Sequence, residues 1–189
     1  MKYIIASDLH GSYTYCKKLL ERFEEEKGDL LIFLGDVLYH GARNPLTDGY
    51  STKDVAALLN TYKTKIFAVR GNCDSEVDQM VLDFPVRADY NMMHVDGRTW
   101  ILTHGHLFSE TDCIPHSPYT VLLHGHTHLK ALTQMEDQYG PFYFVNPGSL
   151  SLPKDGDIHS YLVYENETFT MKDLMTGDSI GTLKLTGKA

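Results

Sequence analysis

The 189-residue chain is poor in cysteine, short of basic residues, and without a long apolar run. Its three cysteines, Cys16, Cys73 and Cys113, are odd in number and far apart, and no two form a CxxC pair. That excludes a disulfide framework and fits a reducing compartment. No apolar stretch approaches about 18 residues, which argues against a membrane-spanning helix. The apolar stretch near Met1 is too short for a signal-peptide core, so the expected location is the cytoplasm. Seventeen Lys and Arg stand against 25 Asp and Glu, a formal net charge of −8. This balance argues against a broad electrostatic footprint for nucleic acid. It leaves a phosphate substrate open, because bound cations reverse the sign of a local site. With 42% hydrophobic residues and no linker, repeat or low-complexity tract, residues 1–189 read as a single globular domain.

What the chain has in plenty is histidine, ten residues clustered towards positions 104–128. Short apolar runs precede many of them. Tyr3–Ser7 ends in Asp8, Leu30–Gly35 in Asp36, Ile66–Gly71 in Asn72, Trp100–Thr103 in His104, and Tyr119–Gly125 in His126. Runs of this kind are the pattern of strands covered on both faces. Each delivers a potential ligand at its C-terminal end, the edge at which open α/β sheets bind ligands.

Between the first runs, Cys16, Leu19, Leu20 and Phe23 fall at helical spacing, with Gly28 beyond. Ser51 and Asp54 resemble a capping box ahead of a second stripe, Val55, Leu58, Leu59 and Tyr62. A short third helix is expected near Ser75. The early chain is therefore βαβαβα with right-handed crossovers. The later chain is β-rich. Asp96-Gly97 marks a hairpin between 87–95 and 98–103. Further pairs are expected over 129–135 with 142–145 and over 160–164 with 169–173, with a last strand over 180–185. Two sheets packed face to face, with helices outside, is the economical architecture.

The strand-end residues Asp8, His10, Asp36, Asn72, His104, His126 and His128 offer oxygen and nitrogen donors and no thiolate. This donor set suits Mn, Fe, Zn, Ni or Co. Asp8-x-His10 and His126-x-His128 each place two side chains on one side of an extended segment. Seven ligands exceed one four-coordinate ion and match two ions sharing a carboxylate. Taken singly, each is a common cap or turn residue. Their joint occurrence at successive strand ends is what points to metal.

These residues stand in Asp8-Leu9-His10-Gly11, Gly35-Asp36-Val37, Gly71-Asn72-Cys73-Asp74, His104-Gly105-His106 and Gly125-His126-Thr127-His128. In that order the segments resemble the motifs of the calcineurin-like metallophosphoesterases, and among them the small bacterial YfcE-type phosphodiesterases. The resemblance implies an α/β fold, a four-layer αββα sandwich with two mixed β-sheets. It implies one metal on Asp8, His10, Asp36 and His128, a second on Asp36, Asn72, His104 and His126, and Asp36 as the bridge. Manganese is the leading candidate, with zinc, iron or nickel as alternatives. The expected reaction is hydrolysis of a small or activated phosphodiester by direct attack of a metal-bridging hydroxide, without a covalent intermediate.

Asp36, Asn72, Cys73 and His104 are the expected catalytic group. Cys73 stands where most of the broader family has His. As a weaker and shorter donor it favours diesters with good leaving groups, or it is simply a small residue packed under the site. His40, Arg43 and His106 are candidate substrate-binding residues, and Arg suits bidentate phosphate contact. His124 is expected to be buried and hydrogen-bonded. Alternative readings are a phosphomonoesterase or nuclease of the same fold, or a metal-binding protein-interaction scaffold. Exposed aromatic residues leave room for a homodimer or higher homo-oligomer.

Overall fold

Each residue of the first strand faces a different layer from its neighbour. In β1 (Tyr3–Ala6), Ile4 and Ala6 join one apolar cluster while Tyr3 and Ile5 join another, and all four are buried. A strand with two dry faces belongs inside a layered fold. The computed structural model, which describes residues 1–156 and 158–187, shows such layers.

The first cluster lies under α1 (Tyr13–Glu25) and α2 (Thr52–Asn60). Cys16, Leu19, Leu20 and Phe23 of α1, with Val55, Ala56 and Leu59 of α2, cover this face. Ser12 caps α1 by accepting from the Tyr15 N–H. Ser51 caps α2, accepting from the Asp54 N–H and donating to its carboxylate at 2.7 Å. Ser51 thus caps the helix, but its own N–H donates to the Gly11 carbonyl at 2.9 Å, so the reciprocal half of the expected capping box does not form. The left-handed residue ending α1 is Lys27 (φ 56°) rather than Gly28. A Cβ on Gly28 would meet the Phe23 ring at 2.6 Å.

The sheet beneath these helices adds β2 (Leu30–Phe33), β3 (Ile66–Ala68), β9 (Ser160–Glu165), β10 (Thr168–Asp173) and β11 (Ser179–Lys184) to β1, and these ranges anticipate the chain order. Its order is β11-β10-β9-β1-β2-β3, parallel from β1 to β3 and antiparallel elsewhere. The second sheet contains β4 (Tyr90–Val95), β5 (Arg98–Thr103), β6 (Val121–Leu123), β7 (Lys130–Asp137) and β8 (Gly140–Pro147). Its order is β4-β5-β6-β8-β7, with β5, β6 and β8 parallel. Both sheets are mixed. Asp96 and Gly97 turn β4 into β5 with φ of 50° and 79°, as the hairpin signal requires. Between the sheets lies the second cluster, where Trp100, Tyr143, Tyr164 and Phe169 are buried against Ile5 and Ile32.

Two expected helices take other forms. Near Ser75 only a single 3-10 turn forms, at Asp78–Met80. Over the outer face of the second sheet, loop residues Cys113 and Ile114 lie on Ile101, Leu122 and Phe142, with no helix there among the described residues. The fourth layer of the sandwich is thus loop. β1, β2 and β3 run parallel in one sheet and β5, β6 and β8 in the other. The residues that follow five of these strands, Asp8, Asp36, Asn72, His104 and His126, meet at one edge of the molecule.

Candidate metal centre

Five of the seven expected ligands stand on left-handed backbone: Asp8 (φ 55°), His10 (48°), Asp36 (55°), His126 (62°) and His128 (62°). Such conformations are sparsely populated for residues with a Cβ and concentrate at functional sites. Neighbouring glycines make room for them. A Cβ on Gly71 would lie 2.0 Å from Asp36 Oδ1, and one on Gly125 would lie 2.6 Å from Asp8 Oδ2. Asp74 ties two strand ends together, accepting N–H groups of Asp36 (2.8 Å), Val37 (2.8 Å) and Gly71 (2.7 Å). Ser149 and Ser151, beyond β8, donate to the Asp8 carbonyl at 2.8 and 3.0 Å.

The imidazoles are aimed by their outer nitrogens. His10 Nδ1 lies 3.0 Å from the Tyr39 carbonyl, His104 Nδ1 2.6 Å from the Leu34 carbonyl, and His128 Nδ1 2.6 Å from the Leu152 carbonyl. A carbonyl only accepts, so each Nδ1 carries the proton and each Nε2 presents a lone pair. Those lone pairs converge. His10 Nε2 and His128 Nε2 are 3.3 Å apart. Asp8 Oδ1 faces His128 Nε2 at 3.2 Å, His10 Nε2 at 3.6 Å and His104 Nε2 at 3.9 Å. Asp36 Oδ2 faces His104 Nε2 at 3.4 Å and His10 Nε2 at 3.8 Å, and Asn72 Oδ1 lies 3.1 Å from His104 Nε2. Asp8 Oδ1 is buried and has no hydrogen-bond partner in the described structure.

Acceptors facing acceptors repel unless positive charge lies among them. Protons are one source. Burial opposes charge on His104, but Asp8 and Asp36 outweigh it and hold the imidazole up to about 9. Burial likewise opposes charge on Asp8, yet His104, His10 and His128 bring its carboxyl well below the usual range. Divalent cations are the other source, and this donor set fits them. Hydrogen bonding of Nδ1 to carbonyls is the usual outer support of metal-binding histidines. Asp8 with His10 and His128, and Asp8 with Asp36 and His104, each form a group whose donor atoms lie within 4.8 Å of one another.

A cleft of about 870 Å³ opens over the cluster. His10, Asp36, Asn72, Cys73, His126 and His128 line it, with Arg43 and Lys154 among the other lining residues. Cys73 donates its backbone N–H to Asp36 Oδ1 at 2.7 Å. Burial and the Asp36 charge push its thiol up to about 12. His106 stands beside the cluster, 5.4 Å from His104 and 6.2 Å from His126, ring to ring. Burial and the neighbouring His104 lower its pKa.

His40 departs from the expectation. It is not a lining residue of the cleft, and its ring packs edge-on against Tyr39 and Tyr50 at 4.7 and 5.2 Å. His124 is fully buried, with Nε2 2.8 Å from Glu110. Sequence reasoning missed Asp74, Ser151 and Lys154 as contributors. Asp74 was within reach, three residues after a strand-end glycine. The others come from a segment with no local sign of where it docks.

Similarity to known proteins spans the region that holds these residues. A family profile described as the calcineurin-like phosphoesterase superfamily domain matches residues 1–168. The chain is 43% identical over 171 residues to a protein of Escherichia coli K12 named phosphodiesterase YfcE, covering 90% of this chain and 91% of the relative. The solved structure of YfcE, described as a phosphoesterase from E. coli, superposes with a TM-score of 0.94 at 40% identity, covering 98% of this chain and all of that one. A Vps29 structure from Entamoeba histolytica shares the fold at 18% identity and a TM-score of 0.61, over 98% and 100% of the two chains. The chain belongs to the calcineurin-like phosphoesterase superfamily.

Proposed function

We propose that the protein is a phosphodiesterase that works with two divalent cations. The observation that carries this reading is the convergence of His10, His104 and His128 Nε2 atoms on two buried carboxylates. Likeness to a named phosphodiesterase over nine-tenths of the chain supports the reaction class. Asp8, His10, Asp36 and His128 would hold one cation, and Asp36, Asn72, His104 and His126 the other. Asp36 suits the bridge because its Oδ2 faces one imidazole of each set, His10 and His104. The cations would supply Lewis acidity towards phosphoryl oxygen and lower the pKa of water. Manganese is the leading choice, because three of the seven residues are hard oxygen donors, the other four are imidazoles and no thiolate is required.

The chain's own residues do the rest. Arg43 and Lys154 bring cationic side chains to the cleft and hold the phosphate's non-bridging oxygens. His106, beside His104 and His126 rather than on the cleft lining, offers a hydrogen bond at the edge of the cluster. Water's oxygen forms the new P–O bond, the ester P–O bond breaks, and the leaving oxygen takes a proton. The Cys73 thiol, held protonated in the metal-free chain by burial and the Asp36 charge, lines the cleft and is the candidate donor. It is a weak one, which favours activated leaving groups. His40 is left out of the proposed substrate set.

The same proposal includes the cytoplasm as location, in keeping with three free cysteines, and a homo-oligomer. Edge strand β4, with Tyr90 and Met92 exposed, is a suitable face for a second copy. A scaffold role is the second reading, favoured only by the shared fold. A metal-by-substrate panel on chelated, reconstituted protein separates these. Hydrolysis of bis-p-nitrophenyl phosphate that needs added Mn²⁺ and exceeds monoester hydrolysis is the expected result. Inactivity with every metal and ester would favour the scaffold.

A further inference from the structure

A second cluster of donor atoms lies on the far side of β6 and β8, in the loop that covers the outer face of the second sheet. We propose that Cys113, His116 and Asp137 form a separate cation site, of the zinc class, that pins this loop to the β7–β8 hairpin.

Three observations carry it. The Cys113 Sγ, one His116 ring nitrogen and an Asp137 carboxylate oxygen all lie within 4.8 Å of one another. Tetrahedral zinc with bonds of about 2.0–2.3 Å sets ligand atoms roughly 3.3–3.7 Å apart. His116 Nε2 and Asp137 Oδ2 are already 3.2 Å apart, and the sulfur lies within 4.8 Å of the ligand atoms of both. Next, the ring is aimed. His116 Nδ1 meets the Ser117 carbonyl at 3.0 Å and therefore carries the proton, which turns the Nε2 lone pair on to the carboxylate. Tyr139 and Phe142 flank the ring at 5.4 and 5.2 Å, and the side chain is 2% exposed. As at the main centre, two acceptors face each other and call for positive charge between them.

The third observation is the loop itself. Cys113 and Ile114 press on Ile101, Leu122 and Phe142 without any helix to hold them. The Cys113 thiol donates to the Ser109 and Glu110 carbonyls at 3.1 and 3.4 Å, and a bound cation would replace these weak bonds with a stronger tie to the hairpin. One sulfur, one nitrogen and one oxygen donor select zinc over magnesium, calcium or manganese. A pocket of about 350 Å³ beside Cys113 and Asp137, lined also by Glu110 and Asp112, leaves room for a fourth ligand from water or a carboxylate. On binding, the S–H bond breaks, the sulfur–metal bond forms, and the proton leaves to solvent. Burial and Asp137 push the thiol up to about 11, so the proton stays until a cation arrives.

The test uses the full chain, chelated and then given Zn²⁺ or Co²⁺. Alkylation of each cysteine is followed by peptide mass spectrometry. Zn²⁺ added beyond the two equivalents that the catalytic pair would take is expected to slow labelling of Cys113 by about tenfold or more, given the strength of thiolate–zinc binding. With Co²⁺, the near-ultraviolet thiolate charge-transfer band should persist in Cys73→Ser and vanish in Cys113→Ser. Should Cys113→Ser fail to fold, the labelling rates of the unaltered chain decide alone. Equal labelling of Cys113 with and without Zn²⁺, or a cobalt band that follows Cys73, overturns the proposal. Phosphodiesterase activity does not enter either readout, so this site stands or falls apart from the catalytic reading.

Discussion

The space between the two sheets and the edge where their strands end are built from opposite materials. Between the sheets, Trp100, Tyr164 and Phe169 pack at ring distances of 4.6–5.2 Å with no ionisable ligand among them. At the edge, Asp8, Asp36 and His104 are equally buried, yet His104 faces the two carboxylates across gaps of 3.4–3.9 Å, and both aspartates stand on left-handed backbone. The middle gains free energy by leaving water, at roughly 25 cal/mol per Å² of apolar surface. The edge loses solvation and recovers it only when positive charge arrives. Stability and chemistry are therefore carried by different ends of the same strands. Changes at one end should leave the other almost untouched.

The largest expected effect is on activity. Asp36→Asn removes the shared carboxylate and should lower bis-p-nitrophenyl phosphate hydrolysis by about 10³-fold or more, several kcal/mol of transition-state stabilisation. Its melting temperature in chelator should stay near that of the unaltered protein. Undiminished turnover would break the division. The mirror change is Trp100→Ala, which opens a cavity among buried rings. It should cost about 3–5 kcal/mol in denaturant unfolding, while kcat of the folded fraction holds. A loss of kcat with little loss of stability would reverse the assignment.

The edge should also carry a pH signature that the middle lacks. His104 is raised to about 9 in the folded, metal-free chain, mainly by Asp8 against the opposing effect of burial. A group raised on folding stabilises fully below its unfolded value, near 6.5 for histidine, and the gain is lost as pH climbs through the folded value. Chelated protein should thus be less stable above about pH 9 than at about pH 6, by up to roughly 3 kcal/mol. Calorimetry at the two pH values measures it, and Trp100→Ala should lower both by the same amount. A flat profile would mean that protons do not stand in for cations at this edge. The smallest effect is expected from Cys73→His. A better proton donor should shift the ratio of monoester to diester hydrolysis several-fold towards poor leaving groups, with metal content unchanged. An unaltered ratio would separate Cys73 from the leaving group.

Much of this division was legible in the sequence. The apolar runs and the residues that close them are local patterns, and they located both the strands and the convergent edge. The Asp96-Gly97 turn and the Ser51 cap are local too. What escaped depends on distant chain meeting in space. Ser151 supports Asp8 only because β8 lies parallel to β6. Lys154 lines the cleft through a loop whose N–H donates to the His128 carbonyl at 3.1 Å. His40 sits in a promising glycine-flanked segment, but its ring packs with Tyr39 and Tyr50. A loop instead of a helix covers the second sheet, with Cys113 and Ile114 on Ile101, Leu122 and Phe142, and no periodic stripe announces them.

Manganese electron paramagnetic resonance of the chelated chain, refilled with two equivalents of Mn²⁺, goes to the heart of the proposal. A spin-coupled pair in the unaltered protein that gives way to isolated Mn²⁺ in Asp36→Asn is the predicted result. Isolated Mn²⁺ alone in the unaltered protein, under conditions where it hydrolyses the diester, would contradict a pair of cations joined through Asp36.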